Sequence, residues 1–250
     1  MKKFTKMWAI AACALFAGTA AVNAEDYTWK FVTAGDATTY AIRSDGSLWS
    51  WGWNEKGQGG NGVSERTATP TLADGNRVWK KAVGGKAYGF FLAEDGSLWA
   101  AGTHEGGVQG TNDGIDHKVL TRIGTDNDWA DMACSRFWGY SGFAIKTNGT
   151  LWAWGKNSAG QLGIGNTQAQ TAPVQVGADM DWKQVAAGCS SVLALKTDGS
   201  LWGWGFNMYS ELFGHEGKQL SPVRLGSETD WEQVVVIDFR AYAVKKDGTL

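Results

Sequence analysis

The sequence predicts an all-β chain of propeller type, and three observations carry that reading. A phrase of the form Asx-Gly-Ser/Thr-Leu-Trp-x-Trp-Gly recurs along 250 residues, 35 glycines stand against three prolines, and there are 15 tryptophans. So many tryptophans point to a repeated aromatic motif.

The repeat opens on Trp29, Trp79, Trp129, Trp182 and Trp231, at intervals of 50, 50, 53 and 49 residues. Four units are complete and a fifth breaks off at Asp247-Gly248-Thr249-Leu250. Inside a unit the first run is short and apolar (KQVAAG) and the second is half-buried in pattern (VLALKT). Asx-Gly at 45–46, 95–96, 148–149, 198–199 and 247–248 joins the second run to a third that begins Ser/Thr-Leu. Asx-Gly between strand-like runs is the strongest short hairpin signal and predicts two-residue type I′ turns. A fourth strand is expected in TATPTLA, TAPVQVG and SPVRLG. Four short strands per roughly 50 residues give the blades of a β-propeller, stacked face to face. The paired rings Trp49/Trp51, Trp152/Trp154 and Trp202/Trp204 alternate along the third strand, so they are expected to fill the gaps between blades; Ala101 replaces the second ring in unit two.

Two segments stand outside the repeat. Residues 1–24 carry Lys2, Lys3 and Lys6, an apolar run from Met7 to about Ala21, and small residues up to Ala24, the pattern of an export signal cleaved after Ala24. The alternatives are a membrane anchor, for which the run falls short of about 20 residues, and a lipoprotein site at Ile10-Ala11-Ala12-Cys13. Removing residues 1–24 takes away three lysines and no acid, leaving 20 basic against 25 acidic residues, a net charge of −5. That balance, without a basic run, argues against nucleic acid. Cys134 and Cys189 then remain, either paired in an oxidising compartment or as two separate buried thiols.

The residues WGKNSAGQLGIGNT at 154–167, with DWKQVAAG and LALKTDGSLWGWG, resemble the regulator of chromosome condensation repeat family. The resemblance runs from about Trp29 to Leu250, and Asn54, Gly57 and Gln58, like Asn157, Gly160, Gln161, Leu162 and Gly163, fit the family's Asn-x-x-Gly-Gln loop. Unit two (His104 to Gly110) is degenerate there, and unit four keeps Asn207 with Glu211 and Leu212. The resemblance implies a seven-bladed ring. Seven such units take roughly 350 residues, so the chain is expected to be an incomplete ring. Many family repeats place a histidine where this chain has Thr38, Tyr88, Ser141, Ser191 and Arg240.

The chain direction puts the loops after strands one and three on one face, and these are the segments that differ among units. Unit three carries a three-residue insertion, SRFWGYSG at 135–142, which brings Arg136, Phe137, Trp138 and Tyr140 into a short loop. Aromatics with arginine are the composition of binding hot spots. Trp53, Lys156, Phe206 and Tyr209 follow third strands, with Tyr88 and Arg240 in the other loops. These side chains either touch a partner or cap blade edges and line the axial channel. No nucleophile elbow, zinc-protease helix or P-loop is present, the three histidines are scattered, and TNDGIDH at 111–117 lacks EF-hand spacing. No cofactor, metal or catalytic residue is therefore expected. The readings that remain are an exported protein-binding propeller, which the resemblance extends to inhibition of extracellular enzymes such as β-lactamases, and a carbohydrate-binding or adhesion module. The resemblance also implies guanine nucleotide exchange, which export and negative charge disfavour.

Overall fold

The computed structural model describes residues 28–207 and 217–250. The expected export signal lies outside them. Four antiparallel sheets follow one another, each a meander in chain order: β1–β4 (Trp29–Ala34, Thr38–Arg43, Leu48–Gly52, Thr67–Asp74), β5–β8 (Trp79–Gly84, Tyr88–Ala93, Leu98–Gly102, His117–Arg122), β9–β12 (Trp129–Cys134, Ser141–Lys146, Leu151–Gly155, Gln170–Gln175) and β13–β16 (Trp182–Ala187, Ser191–Lys196, Leu201–Asn207, Gly217–Arg224). A hairpin of β17 (Trp231–Ile237) and β18 (Arg240–Lys245) completes the described residues. The first strands β1, β5, β9, β13 and β17 all line one cavity of about 180 Å³, through Thr33, Val83, Cys134, Ala186 and Val235 among others. They are the inner strands of blades arranged around a common axis.

The core lies between blades. Each apolar cluster draws on two consecutive units: Tyr40 and Ile42 with Trp79 and Phe91, Phe90 and Leu92 with Trp129 and Trp154, Phe143 and Leu151 with Trp182 and Trp204, Leu193 and Leu195 with Val234 and Val236. In blades three and four the two rings of the third strand divide the work. Trp154 and Trp204 are fully buried, meet Phe90 and Phe143 of the preceding blade at 5.2 and 6.5 Å, and donate their Nε1–H to Val108 O and Gln161 O of that blade. They are the gap-fillers. Trp152 and Trp202 are half-buried and stay within their own blade, edge-on to Trp129 and Trp182. Trp49 does the same with Trp29, and Trp51 also leans on Trp29.

A cation sits over each of these intrablade pairs. The Lys196 ammonium lies 5.0 and 4.6 Å from the Trp182 and Trp202 ring centres and binds Asp179 and Asp181, and Lys146 repeats this with Trp129, Trp152, Asp126 and Asp128. Blade two has Ala93 at that position. Arg77 fills in from the entry loop, 4.0 Å from the Trp99 ring and paired with Asp74.

The Asx-Gly turns differ from the two-residue form expected. Gly46 N–H bonds to Arg43 O at 2.9 Å and Arg43 N–H to Ser47 O at 3.1 Å, with a positive φ of 86° at Gly46 and none at Asp45. This is a three-residue loop, a type I turn closed by a glycine bulge, and it recurs at Gly96, Gly149, Gly199 and Gly248. The aspartate is free for another task. Asp198 Oδ1 accepts the Ser200 N–H and hydroxyl, and Ser200 Oγ accepts the Trp202 indole N–H, a relay repeated at 45–49, 95–99 and 148–152. The turn glycine also joins blades, since Gly149 O accepts the Trp182 N–H at 3.1 Å and a Cβ on Gly149 would stand 2.1 Å from Met180 O.

Cys134 and Cys189 are not joined by a disulfide, which corrects that alternative. Cys134 faces the axial cavity on β9, whereas Cys189 belongs to the loop that follows β13.

The two rings should separate on mutation. Trp204→Ala empties a closed interblade site and is expected to cost about 3–5 kcal/mol, while Trp202→Ala loses one aromatic pair and one cation contact, about 1–2 kcal/mol; urea midpoints check the difference. The turn carboxylates of Asp45, Asp95, Asp198 and Asp247 are held below their ordinary value of 3.8, mainly by the hydrogen bonds of the following Ser or Thr. A depressed carboxylate stabilises the fold above 3.8 and loses that contribution as the pH falls through the folded value. Replacing Asp45, Asp95 and Asp198 by asparagine, the residue already present at 148, should flatten the loss of stability as the pH falls below 3.8, read from thermal midpoints on the acid side of that value.

Candidate functional site

The loops after strands one and three share a face, as the chain direction implies. The residue that follows each third strand, or its final turn, donates its backbone N–H to the loop after β1, β5, β9 or β13: Trp53 to Ala37 O, Thr103 to Ala87 O, Lys156 to Tyr140 O and Phe206 to Ser190 O, all at 2.8–2.9 Å. Tyr140 thus holds the same place as Ala37, Ala87 and Ser190. The inserted residues are therefore Phe137, Trp138 and Gly139.

At the axial mouth the position seven residues after each opening tryptophan is occupied in turn by Asp36, Lys86, Arg136, Cys189 and Asp238. The insertion lies over this ring. The Arg136 guanidinium donates to Ala34 O at 3.3 Å, reaching from blade three to blade one, and Cys189 Sγ stands 3.7 Å from Arg136 O. Lys86 Nζ sits 3.5 Å above the centre of the Trp138 indole. Burial pushes the Asp36 carboxyl above the usual carboxylate range; the Phe137 backbone, Arg136 and Lys86 pull it back, and Asp238 adds to the rise.

The insertion is strained. Phe137 and Tyr140 hold positive φ values of 50° and 44°, a conformation that costs a bulky residue about 1–3 kcal/mol and persists only where its surroundings impose it. Tyr140 supplies that imposition, 4% exposed and 5.9 Å from the Tyr88 ring. Its hydroxyl is pushed up to about 12 by burial and by the Glu105 carboxylate beside it. Trp138, in contrast, is 63% exposed and Phe137 43%.

The expected contact residues therefore divide. Trp138, Phe137 and the half-buried Arg136 come together over the axis, and Arg240 is exposed beside Asp238 and Phe239. Tyr88 and Tyr140 are corrected: both are buried, Tyr88 completely, with its hydroxyl on Ser135 O, and they support the loop from beneath. Trp53, Lys156 and Phe206 are half-buried on the same face. Tyr209 lies outside the described residues. Lys86, Asp36 and Asp238 were missed, although their equal spacing from the repeat tryptophan is readable.

Among the described residues no group of three His, Cys, Asp or Glu is placed to hold a metal. In 111–117, Asp113 takes the Thr111 hydroxyl and His117, and Asp116 takes His104 and Lys56. The Asn-x-x-Gly-Gln loops are structural. Asn157 Nδ2 donates to Asn166 O and Gln168 O while its Oδ1 accepts Leu162 N–H, and Asn54 does likewise with Val63 O and Gly59 N–H. Burial pushes the Cys134 thiol up to about 12, so it is no nucleophile at neutral pH.

Models of the regulator of chromosome condensation (RCC1) repeat match residues 45–92 and 148–195, with a second form of the repeat at 29–58. The chain belongs to the RCC1 repeat family. It is 30% identical over 163 residues to the ultraviolet-B receptor UVR8 of Arabidopsis thaliana, covering 64% of this chain and 37% of that protein. It is 27% identical over 150 residues to human protein RCC2, covering 59% of this chain and 19% of that protein. It thus spans well under half the length of either. Among solved structures, human WBSCR16 superposes with a TM-score of 0.77 at 18% identity, over 89% of this chain and 60% of the other. Yeast RCC1 (Prp20), in complex with Kap60, gives 0.75 at 22%, over 88% and 55%. These likenesses bear on the fold, an RCC1-type propeller of which the chain covers somewhat more than half.

Arg136→Ala removes the bond across the axis and should speed amide exchange at Phe137 and Trp138 while leaving the thermal midpoint within about 2 °C, as expected for an exposed contact remote from the core.

Proposed function

We propose that this chain is an exported protein-recognition propeller, non-enzymatic, which uses the loops after its first and third strands to bind one protein partner. The observation that carries the reading is Trp138, a large ring 63% exposed on a strained three-residue insertion, with Phe137 beside it and Lys86 on its face. A rigid scaffold that holds an aromatic anchor in water has already lost most of the entropy that binding would remove, and such anchors dominate interface energies. The yeast relative was solved bound to Kap60, and another study of Prp20p concerns its binding to Gsp1p and histones, so a protein that carries a propeller of this kind binds other proteins. An extracellular enzyme bound as the target of inhibition is the concrete form of the proposal. The leader at residues 1–24 supports export.

The test is affinity capture from culture fluid with the chain and with Trp138→Ala. One stoichiometric partner is expected, with affinity reduced about 30-fold or more by the substitution, the effect of a hot-spot loss of at least 2 kcal/mol. Capture of a partner unaffected by Trp138→Ala, or binding to glycans with no protein partner, would overturn the reading.

A further inference from the structure

Lys86 differs from the other lysines that touch tryptophans. Lys146, Lys196 and Lys245 each carry an aspartate partner within 3.2 Å, so their charge is balanced where they stand. Among the described residues no carboxylate lies within ion-pair distance of Lys86, which rests on the indole of Trp138, at the mouth of the axis. Its neighbour in the mouth ring is a second cation, Arg136, whose described hydrogen bond is to a neutral carbonyl, Ala34 O. Asp36 faces both cations, but that carboxylate is held by burial and by Phe137 and does not form an ion pair with either. Asp238, in the loop after β17, acts on Asp36 by raising its carboxyl, and among the described residues it forms no ion pair with either cation.

Two adjacent cations, one of them laid on an exposed ring, make a receptor of definite polarity. We infer that the partner presents a loop carrying an Asp or Glu next to an apolar residue, the carboxylate binding Lys86 Nζ beside Arg136 and the apolar side chain packing on Trp138. This rests on the reading of the mouth as a protein-binding face and names the chemistry it selects. An ammonium already placed on the ring spends little entropy in meeting a carboxylate, and the indole edge excludes water from the pair, which strengthens it. A basic loop is disfavoured here, because it would bring a third positive charge against Lys86 and Arg136.

Selection of displayed random 12-residue peptides on the chain, on Lys86→Glu and on Trp138→Ala tests this. Peptides that bind the chain and lose binding at least tenfold on Trp138→Ala should be enriched in Asp or Glu adjacent to Leu, Phe, Tyr or Trp. On Lys86→Glu the enrichment should turn to Lys or Arg. Peptides that depend on Trp138 but show no acidic enrichment, or the same sequences on Lys86→Glu, would overturn the inference and leave the face in place. Selection of no peptide that depends on Trp138 would overturn both. Thermal melting of the two variants, expected within about 2 °C of the chain because Trp138 is exposed and Lys86 is half-buried without an ion pair among the described residues, separates a lost site from a lost fold.

Discussion

The structure depends on the packing of one blade's third-strand ring against the second strand of the blade before it. Stacked sheets stand about 10 Å apart, a distance that Trp154 and Trp204 bridge with Phe90 and Phe143 while keeping their indole N–H groups bonded. Blade three is thereby fixed on blade two, and blade four on blade three. The turn glycines add a second point of attachment at the opposite end of the same strands, where Gly46, Gly96, Gly149 and Gly199 accept the N–H of the following blade's opening tryptophan. With both ends held, the inserted Phe137 and Trp138 side chains stay outside the core.

That constraint explains the insertion. Tyr140 must keep the place held by Ala37, Ala87 and Ser190, because Lys156 N–H bonds to its carbonyl. The three residues before it have nowhere to go but out over the axis. Phe137 takes a strained backbone, Arg136 crosses to blade one, and Trp138 is left in water with Lys86 on its face. The length change puts an exposed aromatic ring on an otherwise regular frame, and rigid repeat scaffolds commonly carry function on such loops.

Much of this was legible in the residues. The interval between opening tryptophans, the Asx-Gly pairs and the Trp-x-Trp alternation led to blades, a strand order and the face that carries the loops. The turn type was misjudged because Asx-Gly at a hairpin suits both a two-residue loop and a three-residue loop with a glycine bulge, and the Ser or Thr that follows decides for the second by taking the aspartate's bonds. Both rings of Trp202 and Trp204 share one strand face, so alternation could not tell that one fills the gap between blades and the other pairs with Lys196; the acids before Trp182, Asp179 and Asp181, were the available signal. Tyr88 and Tyr140 looked like surface aromatics because loop position was equated with exposure, whereas their rings turn inward and stack. The spacing of Lys86 from Trp79 marks its place in the mouth ring, but its contact with Trp138, half a hundred residues away, is not readable from that spacing.

Excision of residues 137–139 tests the central claim most directly, because it restores the loop length of the other units. If the frame is set by the interblade rings and the insertion is a recognition device carried on it, the shortened chain melts cooperatively within about 3 °C of the original and no longer binds the partner. A shortened chain that unfolds far earlier, or one that binds as before, would contradict the account.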